Sequence, residues 1–144
     1  MTVVSFTVPG VPVGKGRARF VRATGHAYTP SKTRAYETLV KVMAKQAMRG
    51  RKPFSEACAV FIHVLLTPPQ SWSRTKWDFA LGGGRWPTGK PDLDNYAKIV
   101  VDACNGVVFD DDRQVVKLTA TKTYHKSNVV TVEVETIATR MAAG

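Results

Sequence analysis

Apolar and polar residues alternate along Val3–Val8, which predicts a first strand closed by Pro9, Gly10 and Pro12. Ser31 is placed to cap a helix that reaches Met48, with Gly50 as its stop. Tyr36, Leu39, Val40, Met43, Ala44 and Ala47 recur at three and four along it, while Lys32, Arg34, Lys41, Lys45 and Arg49 stay polar. Cys58–Leu66 is a nearly unbroken apolar run and predicts a buried strand, closed by Pro68-Pro69. From Gln70 to Gly89 the pattern is irregular, with a short helix near Arg74–Leu81, three tryptophans (Trp72, Trp77, Trp86) and the run Gly82-Gly83-Gly84. A stretch this long is more often functional than passive. A second main helix is expected from about Asp94 to Cys104, ended by Gly106. Strands are expected at Val115–Tyr124 and Val129–Ile137, joined as a hairpin near Lys126-Ser127-Asn128. The order β-α-β-α-β-β predicts an α/β (α+β) fold: a single domain over residues 1–144, with a mixed β-sheet and two main helices packed on it.

Composition narrows the class. The 144 residues are 44% hydrophobic and 22% charged, the profile of a globular chain. A net charge of +10 points to an acidic partner; nucleic acid leads and an anionic membrane surface follows. No run approaches the ~20 apolar residues of a membrane span, since the longest, Ala59–Leu66, is interrupted by His63. The first residues lack a charged segment followed by an apolar one, so no signal peptide is expected, and the cysteine usage fits a reducing, cytoplasmic setting. Cys58 and Cys104 sit in apolar context and read as reduced, buried thiols; with His26, His63 and His125 they make no familiar zinc spacing. His63 reads as a satisfied strand residue.

Charge is not spread evenly. Six of the 11 acidic residues, Asp92, Asp94, Asp102, Asp110, Asp111 and Asp112, fall within 21 positions whose only cation is Lys98. By contrast, positions 14–52 carry 11 of the 21 basic residues and a single acid, Glu37. Clustered carboxylates repel one another, and a divalent ion relieves that; a metal held against a phosphate backbone is a common way to cut DNA. Asp92 and Asp94 bracket Leu93 after Pro91, and in extended chain residues i and i+2 face the same way. Lys98 lies one helical turn after Asp94, and Asp110-Asp111-Asp112 can bring a third carboxylate. Oxygen-only ligands select Mg²⁺ or Mn²⁺ over zinc.

Plainer readings compete for each residue. Asp94 can be a helix cap worth ~1 kcal/mol, Asp94 and Lys98 a surface pair worth ~0.3–0.5 kcal/mol, and the Asp triplet turn chemistry. Together these leave Asp92 and the surplus at Asp110–Asp112 unexplained. A calcium loop starting at Asp92 fails, because the required Gly and Glu positions are Ala97 and Ala103. Gly84-Arg85-Trp86-Pro87-Thr88-Gly89-Lys90 follows a phosphate-binding loop for seven places, but the eighth is Pro91 and not Ser or Thr, so no nucleotide cofactor is expected. The tryptophans either pin the long stretch to the core or offer one ring to an exposed base.

The run Lys90-Pro91-Asp92-Leu93-Asp94-Asn95 continues through Lys98, Asp102-Ala103, Asn105-Gly106-Val107-Val108 and Asp111-Asp112 to Gln114-Val115-Val116. It resembles the RusA family of Holliday-junction resolvases. So do Pro12-Val13, Lys15-Gly16-Arg17, Arg19-Phe20, Tyr28-Thr29-Pro30, Lys32-Thr33-Arg34 and Tyr36-Glu37. The likeness covers about residues 6–125 and departs at Gly89 and in the length and glycine content of 81–89. It implies a homodimeric, Mg²⁺-dependent endonuclease, phage- or prophage-borne in many cases, that nicks four-way DNA junctions symmetrically. It implies Asp92, Asp94 and Asp112 as catalytic metal-binding acids, with Asp111 as the neighbour most easily confused with Asp112, and Lys98 as the catalytic or phosphate-stabilising lysine. Lys15, Arg17, Arg19, Arg22, Lys32 and Arg34 are the expected DNA-backbone contacts. The competing functions are a nuclease of flaps or forks and a non-catalytic nucleic-acid-binding protein.

Overall fold

The computed structural model describes residues 2–16, 19–21, 26–28 and 31–138, with side chains described outside 17–30. Strands β1 (Val3–Pro9), β4 (Cys58–Leu66), β5 (Val115–Tyr124) and β6 (Val129–Thr136) form one sheet in the order β1-β6-β4-β5. β6 is antiparallel to both β1 and β4, and β4 is parallel to β5. The mixed sheet is therefore as expected.

Its core face follows from the alternation. Val4, Phe6 and Val8 of β1, Val60, Ile62 and Val64 of β4, and Val130, Val132 and Val134 of β6 are all buried. Each such side chain contributes ~1.5–3 kcal/mol by leaving water. Helix α1 (Ser31–Met48) and helix α3 (Leu93–Cys104) cover this face and pack on each other. α1 buries Tyr36, Val40, Ala44 and Met48, the three-and-four stripe legible in its sequence. α1 ends where Arg49 and Gly50 turn left-handed, at φ 51° and 78°, a conformation glycine adopts without steric cost. The short helix α2 (Arg74–Leu81) lies where it was expected, capped by the Ser73 hydroxyl, which accepts from Lys76 N at 3.2 Å.

Three expectations need correction. β5 and β6 are not a hairpin: β4 lies between them. His125–Asn128 arches over the end of β4, with His125 N donating to Leu66 O at 2.8 Å and Asn128 Oδ1 accepting from Thr67 N at 2.9 Å. The span is only two strand spacings of about 4.8 Å, so a connection of this length fits either topology. Second, the basic N-terminal segment contains two short strands, β2 (Arg19–Val21) and β3 (His26–Tyr28), paired antiparallel. Third, Asp92-Leu93-Asp94 is not an extended run. Asp92 is the extended N-cap (φ −65°, ψ 151°), and Leu93 and Asp94 already belong to α3. A carboxylate in the first turn is favoured by the helix dipole. Among the described residues, no helix is long and apolar enough to cross a membrane.

Candidate active site

The phase of α3 decides which residues meet. Asp94, Lys98 and Asp102 are spaced by four and therefore stack along one face of the helix. With Leu93, Ala97 and Val101 they line one wall of a cavity of about 540 Å³; Asp112, Leu118 and Ala120 line the other. Asp94 and Asp112, far apart in the chain, thus share one opening with the Lys98 ammonium.

The second wall is held by an anchored turn. Phe54 N donates to Val108 O at 2.8 Å, and Asp110 N to Phe54 O at 3.1 Å. Gln114 Nε2 donates to the carbonyls of Phe54 and Glu56 at 2.8 and 2.9 Å. Asp111 caps the one-turn 3₁₀ helix Asp112–Gln114: its Oδ1 accepts from Arg113 N at 3.0 Å, and its own N–H donates to Gln114 Oε1 at 2.8 Å. The Arg113 N–H, then a hydrogen bond with the Asp112 carboxyl, hold the Asp111 carboxyl below its ordinary pKa. The adjacent aspartates therefore differ. Asp111 is committed to the turn, and Asp112 lines the cavity.

Asp92 stands apart. Its side chain makes no capping hydrogen bond, is exposed, and does not line the cavity. Among the described residues, no three His, Cys, Asp or Glu side chains stand close enough to hold one metal ion. The donor chemistry nevertheless suits a hard divalent cation: Asp94 and Asp112 supply carboxylate oxygens to the same opening, and the Asp92 carboxylate, outside it at the N-cap, makes no capping hydrogen bond.

Asp102 belongs to the acid cluster, yet its sequence position alone suggests no role for it. In the fold its Oδ2 lies 3.2 Å from Lys15 Nζ and 3.6 Å from Lys98 Nζ. The signal was present in the four-residue spacing of Lys98 and Asp102; Lys98 pairs with this acid, where the plainer reading pairs it with Asp94. Lys15 also bonds Glu37 of α1 at 2.5 Å. Burial works against its charge, but the hydrogen bonds and the negative charges of Glu37 and Asp102 outweigh it and raise the Lys15 pKa above 10.5. Lys15 N donates to Asn95 O at 2.9 Å. Gly14 beside it permits this approach, since a Cβ there would stand 2.8 Å from Pro91 Cβ. Lys15, expected to meet DNA, bridges α1 and α3 through Glu37 and Asp102.

Of the other basic residues expected to meet DNA, Lys32 and Arg34 are exposed in the first turn of α1. Lys32 lines a second cavity of about 580 Å³ together with Lys90, Pro91 and Tyr96, next to the start of α3. Arg17 and Arg22 lie outside the described residues, and for Arg19 the backbone alone, in β2, is described. Lys122, another residue without an expected role, ties Gly89 O and Pro91 O to β5 at 2.8 and 3.1 Å. His63 shares a 3.0 Å hydrogen bond with Thr123 Oγ1, as a satisfied strand residue should. Cys58 and Cys104 are free and buried; burial pushes both thiols up, Cys104 to about 12.

A mixed sheet under two helices, with an acid-and-lysine cavity along one of them and a strongly basic chain around it, is a frame suited to phosphodiester chemistry. The sequence pattern of the family described as Endodeoxyribonuclease RusA matches residues 9–135. The chain belongs to the RusA endodeoxyribonuclease family, a family of DNA-cutting enzymes. It is also 34% identical over 142 residues to the uncharacterized protein YqaN of Bacillus subtilis (strain 168), covering 96% of this chain and 99% of that one.

Proposed function

We propose that this protein is a Mg²⁺-dependent, structure-specific endodeoxyribonuclease that resolves four-way DNA junctions by paired symmetric nicks, working as a homodimer. The observation that carries this reading is the single cavity shared by Asp94, Asp112 and Lys98 in a chain with net charge +10. Asp92, Asp94 and Asp112 are the residues that would hold Mg²⁺, with Mn²⁺ as a substitute. Bound there, the ion supplies Lewis-acid charge at the scissile phosphate.

The remaining work falls to the chain's own groups. Lys98 is 63% exposed and holds Asp102 only at 3.6 Å, so its ammonium can turn to a non-bridging phosphate oxygen. Placed there, it stabilises the charge that builds as the bond breaks. Leu93, Val101 and Leu118 give the cavity apolar walls, which strengthen those electrostatics by thinning the water. Lys32 and Arg34, with Arg17, Arg19 and Arg22, hold backbone phosphates and add affinity without sequence choice. One chain carries one acid set, and two cuts related by a twofold call for two; a C2 dimer supplies them.

The test is cleavage of an end-labelled four-way junction against a linear duplex of the same sequence, with and without Mg²⁺. Wild type is expected to nick the junction in a metal-dependent way and to spare the duplex. Asp92→Asn should lose nicking and keep, or tighten, junction binding, because a repulsive charge has gone. Failure of the wild type to cut any branched DNA with Mg²⁺ or Mn²⁺ would end the enzyme reading. Equal cutting of the duplex would end the junction reading.

A further inference from the structure

The acidic cavity leaves α2 and the glycine loop after it without a role. Of the three tryptophans, Trp72 is committed: Lys76 Nζ lies 4.2 Å and the Arg85 guanidinium 5.0 Å from its ring centre, and Tyr124 meets it edge-on at 5.5 Å. Trp86 is different, with 68% of it exposed, and Phe79 is 60% exposed. Trp86 is the most exposed large hydrophobic side chain among the described residues.

The loop that presents Trp86 is built, not slack. Gly82 N donates to Asp78 O at 3.0 Å, Gly83 N to Ala80 O at 3.1 Å, and Gly84 N to Phe79 O at 2.9 Å. Gly84 lies flat on the Phe79 ring; a Cβ there would stand 2.4–2.6 Å from the ring carbons. Behind it, Trp86 and Arg85 line a cavity of about 280 Å³ with the Gly82-Gly83 backbone, Thr123 and Tyr124. An aromatic wall, a guanidinium and peptide groups together suit a flat heterocycle that carries a phosphate.

Position links this cavity to the acidic one. Thr123 and Tyr124 end β5, and Leu118 and Ala120 of the same strand line the acidic cavity. Tyr124 lies four positions beyond Ala120 on the same face of that strand, about 13 Å along it. Lys122 fastens Gly89 and Pro91 to β5, so the segment from Trp86 to Asp92 is tethered between the two.

We propose that Trp86 and Arg85 form a stacking pocket for an unpaired base of the DNA strand whose backbone enters the acidic cavity. The proposal rests on the nuclease reading above and adds a base-binding subsite to it. Trp86 supplies the π face, and Arg85, held over Trp72, meets the adjoining phosphate. Stacking of this kind tolerates every base. Charge selects the occupant. Arg85 lines the pocket, and Lys76 stands with it over the Trp72 ring, while Asp78 on the same helix is already paired to Arg74 at 3.2 Å. A second copy of the chain docked through this same face would bring like charges together, whereas a polynucleotide brings the opposite sign.

The experiment titrates wild type, Trp86→Ala and Trp86→Phe with an oligothymidylate single strand and with a blunt linear duplex, in EDTA, following tryptophan fluorescence and anisotropy of labelled DNA. Oligothymidylate should quench the wild type. Trp86→Ala should bind it about 5- to 150-fold more weakly, with duplex affinity held within about twofold, and Trp86→Phe should recover most of the affinity. Equal weakening toward single strand and duplex, or none, overturns the pocket. So does a change of oligomeric state in Trp86→Ala with single-strand affinity intact, which would make this face a protein interface. A wild type that binds oligothymidylate through Trp86 but never nicks a junction upholds the pocket and sinks the junction reading. Junction nicking with Trp86→Ala at full single-strand affinity does the reverse.

Discussion

Replacing Lys15 with Met keeps most of the side chain's length and removes its charge. In the folded protein that charge sits 2.5 Å from Glu37 and 3.2 Å from Asp102, and all three side chains are about three-quarters covered. Breaking a fully buried pair costs ~3–5 kcal/mol, and a fully exposed one ~0–1 kcal/mol. A network of intermediate exposure belongs between these, at ~1–3 kcal/mol. For a chain of this size that lowers Tm by roughly 3–10 °C. Urea and thermal denaturation of Lys15→Met, Asp102→Asn and the double variant should give a coupling energy of ~1 kcal/mol. If Lys15 instead binds a DNA phosphate, the opposite pattern is expected. Removing one lysine–phosphate interaction lowers the salt slope of binding by ~0.9 and leaves stability alone. An unchanged midpoint together with that slope change would refute the bridge and return Lys15 to the DNA surface.

Gly14→Ala should destabilise by ~1–3 kcal/mol, because the new methyl meets the Pro91 ring carbon at 2.8 Å and that ring cannot swing aside; wild-type stability in urea would show that the segment moves freely. Tyr36→Phe should be neutral or stabilising by up to ~1 kcal/mol, since among the described residues the buried Tyr36 hydroxyl has no hydrogen-bond partner; a loss above ~1 kcal/mol would mean it has one. Asp111 is expected to titrate below 3.8 in the folded chain. Its folded pKa is depressed, so its contribution to stability is present above the unfolded pKa and fades as pH falls through the folded one. An NMR midpoint at or above 3.8 would refute the capping role.

Every main element of the sheet and both large helices were legible, because each carries its own period. Val4, Phe6 and Val8 alternate, and Tyr36, Val40 and Ala44 recur by four. The neighbour relations were not legible in the same way. A short link between Tyr124 and Val129 looks like a hairpin whether or not a strand lies between its arms. The discriminating clue was in Cys58–Leu66, whose apolar run suits a strand flanked on both edges, as β4 is by β5 and β6. Pairing follows from which strand must be central, a property of the whole sheet that no local window contains.

For the candidate site, the charge pattern located the neighbourhood and the helical phase then sorted its members. Counting carboxylates marks all six aspartates between Asp92 and Asp112 alike. Beginning α3 at Leu93 puts Asp94, Lys98 and Asp102 on the cavity side and leaves Asp92 at the cap. Capping then takes Asp111 out of play and leaves Asp112 facing the same opening. Lys15 occupies Asp102 from the other side, which keeps that acid from competing strongly for Lys98. Two aspartates and one lightly held lysine are thus left facing one cavity, with Asp92 outside it at the helix cap. That sorting is what separates a site from a mere surplus of negative charge: Asp102 and Asp111 are held by the Lys15 bridge and the turn, and Asp94 and Asp112 open onto one space.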